Sequence, residues 1–234
     1  MWSKRKGDAT MGFLHEDGPI TSLLSRLTDL LLVNVFWVIC CLPIVTIGAS
    51  TTAMYDVCMR LALHEEIGVI KTFFQSFVRH LKRGTLLFLL AALAAALLII
   101  DFWAASHWEL SFKFVFQVVI LSVGYFYVAT VSHAIPALAY FGEPVIKTIR
   151  HAFILAMRNG IYTVFVMLMN LLPILLFLLL PDVFWKMFFI WLTVGIALLT
   201  YLNSLHLVRL FDPQRVKELD VRLAEEERNR KKRN

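Results

Sequence analysis

The chain has 234 residues, 59% hydrophobic and 17% charged, with a mean hydropathy of +0.71 and a net charge of +6. A soluble domain carries about 25% charged residues, and a chain of this length could not hide so much apolar surface from water. A water-soluble domain is therefore excluded, and one compact membrane domain of several helices is expected. The basic residues lie between apolar runs and in the tails. That is the pattern of positive-inside topology rather than of a nucleic-acid-binding face, so no nucleic-acid partner is expected.

In chain order, Met1 to Lys6 is basic, but Gly7 to Gly18 is polar or mixed, which does not read as a cleavable signal peptide. A spanning helix needs about 20 apolar residues. Five stretches meet that length: about 23–42, 84–103, 112–140, 160–180 and 183–207. Pro181 and Asp182 mark a tight turn between the last two. The first stretch ends in CLPIVTIGASTTAMY, Cys41 to Tyr55, where Pro43 and Gly48 break the apolar run amid Thr46, Ser50, Thr51 and Thr52. Irregular backbone at membrane depth must be packed in protein or line a wet cavity.

The segments 48–83, 141–159 and 208–234 hold five, three and nine Lys and Arg, 17 of the 23. They must share a side, which the positive-inside rule makes the cytoplasm. The turns near His107 and Pro181 then face outward, with Trp103 and Trp108 as an aromatic belt. Two versions of the first span remain open. A simple kink leaves the basic N-terminal tail outside. A hairpin folded at Pro43–Gly48, with a short arm 51–63 returning through the membrane, puts the tail in the cytoplasm and leaves only two basic residues outside. The second version fits the charge rule better. It needs Asp56 and Arg60, at i and i+4, to pair inside the bundle.

The tetrapeptide VIKT occurs at Val69–Thr72 and again at Val145–Thr148, with Phe77/Phe153, Lys82/Arg158 and Gly84/Gly160 matched at the same offset. Both copies read as amphipathic helices, 69–83 and 145–158, lying along the cytoplasmic leaflet. Arg79, Lys82, Arg150 and Arg158 would face anionic lipid. Duplication and convergent composition both account for the match. Asp212–Pro213 starts a last helix. The segment 208–234 is expected to be a charged cytoplasmic tail, solvated and partly frayed.

The expected fold class is all-α: a polytopic membrane helical bundle with five spanning helices, a short membrane-embedded or re-entrant helix after the first, and two interfacial helices, all within residues 1–207. No catalytic, metal or cofactor constellation assembles, and Cys40, Cys41 and Cys58 fit neither a disulfide framework nor a zinc site. Polar residues at membrane depth are the remaining candidates. Asn34, Asn170 and Asn203 read as interhelical hydrogen-bonding residues. The candidate functional polar cluster is Thr46, Thr51, Thr52, Asp56, Arg60 and His133. His133, one turn before Pro136, is open to a structural or a functional reading.

The chain resembles the YesL-like family of bacterial integral membrane proteins, a domain of unknown function. The resemblance rests on NVFWVICCLPIVTIGASTTAMY (Asn34 to Tyr55), FFQSFVRHLKRG (Phe73 to Gly84) and IKTIRHAFILAMRN (Ile146 to Asn159), and covers about residues 18 to 210. It implies a multi-pass protein of the bacterial plasma membrane. Members are often encoded beside carbohydrate uptake and degradation genes, which implies a non-enzymatic accessory role there, with a carbohydrate transporter component as partner. The alternative is a structural or regulatory envelope protein acting through lipid or protein contacts.

Overall fold

The structure, a computed structural model, describes residues 19–107 and 113–233. Every regular element among them is a helix. In chain order these are α1 (Pro19–Cys41), α2 (Ile47–Ala62), α3 (Val69–His107), α4 (Lys113–Phe141), α5 (Val145–Arg158), α6 (Gly160–Leu179), α7 (Pro181–Lys186), α8 (Phe188–Phe211) and α9 (Pro213–Arg233). Five of them, α1, α3, α4, α6 and α8, are long and apolar enough to cross a membrane. Their outer faces carry large aliphatic side chains such as Ile99, Ile161 and Leu178, whereas Asn34, Thr52, His133 and Ser204 are buried. This inside-out distribution suits a hydrocarbon solvent. Trp103 is exposed; its expected companion Trp108 lies outside the described residues.

The chain folds back after α1. Pro43 takes an extended conformation, a short 3-10 turn spans Ile44–Thr46, and α2 begins at Ile47. Trp37 Nε1 donates to Thr51 Oγ1 at 3.1 Å, and Ser50 Oγ donates to the Trp37 carbonyl at 3.1 Å. At the far end the Arg26 guanidinium donates to the Leu61 carbonyl and to His64 Nδ1. Residues early in α1 thus meet residues late in α2, so the two helices form an antiparallel hairpin rather than one kinked helix.

Helix α2 is the centre of the molecule. Of its residues only Ile47, Thr51 and Arg60 escape full burial. It packs against α1, α3, α4 and α8. Small residues permit this. A Cβ added at Gly84 of α3 would lie 2.8 Å from Ala49 Cα, and one at Gly48 would collide with the Gly84 carbonyl oxygen. The two backbones therefore touch, the close approach that small residues allow between helices in lipid.

The expected separate helix over 69–83 is not present. Val69 to His107 is one unbroken helix of 39 residues, about 58 Å at 1.5 Å per residue. The helical ladder runs through Arg83 and Gly84 without a turn, and Gly84 is where α3 touches α2. The second copy does break, because Asn159 leaves the helical region between α5 and α6 (φ −125°, ψ 56°). The faces differ as well. Phe73 is buried, but Phe74, Val78 and Leu81 point outward with the basic residues, while Val69, Ser76, His80 and Gly84 face the bundle. The fifth apolar stretch is also less regular than expected. Pro181 opens the six-residue α7, and α8 contains a π turn at Trp191–Gly195. Asn34 serves this turn, donating from Nδ2 to the Leu192 carbonyl at 2.6 Å and accepting at Oδ1 from the Ala197 N–H at 3.0 Å. Its amide thereby satisfies backbone groups that the irregular ladder frees.

The glycine contact yields a prediction. Gly84→Val should lower stability by about 1–3 kcal/mol, because backbone rather than a side-chain tip lies in the way. Gly124→Ala, where nothing lies within 4 Å, should be nearly neutral. Thermal unfolding in detergent measures both, and equal midpoints for the two variants would refute the close-contact account.

Candidate functional site

The hydroxyl-rich run is tied to main chain. Thr46 Oγ1 lies 2.7 Å from both the Cys40 and Pro43 carbonyl oxygens, and its proton serves one of them. Thr51 donates to the Ile47 carbonyl and Thr52 to the Gly48 carbonyl, each at 2.7 Å. Such bonds one turn back are the usual resort of hydroxyls inside helices. With Ser50 bonded to Trp37, every hydroxyl of the run has a protein partner. Thr46 and Thr51 close the hairpin, and Thr52 is fully buried.

Asp56 and Arg60 meet as their spacing predicts, with Arg60 Nε 2.9 Å from Asp56 Oδ1. The chain of charge continues outward. Arg60 Nη1 lies 3.6 Å from Glu65 Oε2, and Arg215 Nη2 lies 2.5 Å from Glu65 Oε1. Close by, the Arg83 guanidinium donates to the Gly142 carbonyl, and Tyr140 OH donates to Asp212 Oδ2 at 3.0 Å. The loop after α2, the turn between α4 and α5, and the start of α9 therefore gather at one end of the bundle. Arg26, on the early part of α1, is at that end too.

His133 does not join the hydroxyl run through any hydrogen bond. Its Nδ1 lies 3.0 Å from the Ala129 carbonyl one turn back. The carbonyl that Pro136 frees belongs to Ser132, so the ring does not serve it. His133 Nε2 is buried without a partner among the described residues, as are Ser76 Oγ and His80 Nδ1. Ser76 and His80 were not singled out in the sequence. The available signal was their spacing with Gly84, at i, i+4 and i+8 on one face of α3. They stand where the second copy has Ala152 and Ala156, and all four are buried. A buried polar atom left dry costs about 1–3 kcal/mol, and a water or another polar group beside each would remove that cost. Ser76 and His80 do not bond each other, so the imidazole does not activate the hydroxyl. Among the described residues no three His, Cys, Asp or Glu converge as metal ligands. Elsewhere Asn203 Nδ2 donates to Asn170 Oδ1 at 3.0 Å, joining α8 to α6.

Arg79, Lys82, Arg150 and Arg158 are exposed, and no ion pair joins them to a carboxylate among the described residues. The start of the last helix is more firmly held than a frayed tail. Asp212 caps α9, with Oδ1 accepting from the Arg215 N–H at 3.0 Å. Val216 and Leu219 pack against Tyr55, Met59, Leu63 and Leu207.

The Arg215 N–H, followed by the Tyr140 hydroxyl, holds the Asp212 carboxyl below its ordinary range. A depressed carboxyl stabilises the fold above its unfolded value, about 4, and loses that effect as pH falls through the folded value. The docked start of α9 should therefore stay protected from pH 8 to 6 and loosen below about pH 4. Amide hydrogen exchange over 213–219, corrected for its intrinsic pH dependence, measures this. Asp212→Ala should show the loosened exchange already at pH 7; unchanged protection in that variant would refute the capping role.

A search of curated proteins and a search of solved structures each gave no match. A family model described as "Protein of unknown function, DUF624" matches residues 30–102, from the middle of α1 through α2 to near the end of α3. That span, about a third of the chain, holds both glycines of the α2–α3 contact, and it is over this part that the chain is similar to the family.

Proposed function

We propose that the protein is a non-enzymatic component of the bacterial plasma membrane that acts by contact with another membrane component, assisting carbohydrate uptake as the partner of a permease. The observation that carries the contact reading is the closure of the hydroxyl run. Thr46, Ser50, Thr51 and Thr52 each bond to protein, which favours a structural hairpin over a lining for a passing solute. The carbohydrate part rests on the YesL-like resemblance and the gene neighbourhoods that it implies. Topology follows from charge. The end where Arg60, Arg83 and Arg215 gather is rich in basic residues, and positive-inside orientation makes it cytoplasmic. Arg26 beside Leu61 then brings the N-terminus to the same side, with α2 as an arm that re-enters from within. Deleting the gene and measuring uptake over a panel of labelled glycans tests the proposal. Uptake of at least one glycan should fall and be restored equally by the wild-type chain and by Thr52→Val, whose lost hydroxyl serves only its own helix. Unchanged uptake of every glycan would sink the idea, and failure of a folded Thr52→Val chain alone would return the hydroxyl run to solute handling.

A second reading, a structural or regulatory envelope protein acting through lipid or protein contacts, is favoured by the four exposed cations that lack carboxylate partners. Alanine at Arg79, Lys82, Arg150 and Arg158 together should weaken binding of the purified protein to anionic vesicles by about tenfold or more, since each basic residue near such a surface contributes about 1 kcal/mol. Binding that does not weaken removes this reading.

A further inference from the structure

Between α4, α5 and α8 lies a cleft of about 180 Å³. Phe141, Leu155, Leu210 and Phe211 give it aromatic and aliphatic walls, and His151 and Arg158 also line it. The two basic groups are not equivalent. His151 Nδ1 lies 2.8 Å from Glu143 Oε2, so any charge on that ring has a counter-ion. Arg158, in the last turn of α5, has no carboxylate partner among the described residues. The cleft therefore presents one uncompensated guanidinium amid apolar walls. It lies near the end of the bundle where the charged loops gather, since Phe141 adjoins Gly142 and Phe211 adjoins Asp212.

We propose that this cleft seats an anionic diacyl phospholipid, with its phosphate on the Arg158 guanidinium and the start of its acyl chains against Phe141, Leu155, Leu210 and Phe211. A guanidinium matches a phosphate diester with two parallel hydrogen bonds, and basic pockets between spanning helices are general sites for lipid headgroups. The volume, that of about six waters in the liquid, takes a headgroup or a short length of chain rather than a whole lipid. The rest of the acyl chains stays in the bilayer, which the exposed Ile154, Met157 and Ile161 already face. A soluble organic phosphate would satisfy Arg158 but leave the aromatic walls wet. The inference rests on the membrane reading alone and not on the identity of a protein partner.

The test uses the full chain purified in detergent and stripped of lipid, titrated with phosphatidylglycerol and with phosphatidylcholine of the same acyl chains, with bound lipid counted by native mass spectrometry. Both lipids offer the phosphate, but the choline of phosphatidylcholine brings a second cation beside Arg158, so phosphatidylglycerol should bind about tenfold more tightly. Arg158→Ala should lose that preference, Arg158→Lys should keep part of it, and Arg79→Ala, outside the cleft, should keep all of it. Equal binding of the two lipids by the unaltered chain overturns the proposal without recourse to a variant. Equal losses from Arg158→Ala and Arg79→Ala also overturn it, because diffuse surface charge would then suffice. Displacement of the lipid by an equal concentration of glycerol 3-phosphate overturns it in favour of a soluble ligand. None of these outcomes bears on glycan uptake, so the permease proposal and this one fail separately.

Discussion

Contact between the backbones of α2 and α3 at Gly48, Ala49 and Gly84 is the constraint on which the rest of the bundle depends. In a hydrocarbon solvent apolar side chains gain little by leaving lipid, so helices associate through close packing and hydrogen bonds. Two glycines let these helices meet without side chains between them. The same helix, α3, turns Ser76 and His80 into the bundle, where both are buried. The close approach leaves α2 so enclosed that its hydroxyls must find partners in their own helix or in α1. Burial of α2 and closure of the hairpin are thus two results of one contact.

Much of this was legible in the sequence. The apolar runs marked the five long helices, because length and lack of charge are sufficient signals for them. Pro43 and Gly48 marked where the first apolar run breaks, and the chain folds back there. Asp56 and Arg60 met because their spacing leaves them one turn apart. Other features were hidden for physical reasons. Gly84 read as a boundary between an interfacial and a spanning helix, whereas its role is to let another backbone approach; a missing side chain looks the same in either case. Hydrophobicity is also a poor guide to the faces of α3, because the solvent is lipid. Phe74 and Val78 face outward, and Ser76 and His80 face inward. The π turn at Trp191–Gly195 has no clear sequence signal beyond an asparagine far away in the chain.

The two VIKT segments show how like sequences can serve unlike ends. Both bury the same register: Val69 and Val145, Ser76 and Ala152, His80 and Ala156. One copy puts a hydroxyl and an imidazole on that face and the other puts methyl groups. Gly84 sits under Ala49, while Gly160 has nothing within 4 Å of where its Cβ would stand. The first copy therefore carries buried polar side chains, and the second supplies Leu155 and Arg158 to the cleft that α4 and α8 complete.

The unbroken length of α3 has a mechanical consequence. Gly84 divides it into unequal arms, about 22 Å back to Val69 and about 35 Å on to His107 at the rise of a regular helix. With no proline between the ends, one continuous hydrogen-bonded ladder joins the end where Glu65 pairs with Arg60 and Arg215 to the end at His107, so the backbone of α3 offers no built-in hinge between them.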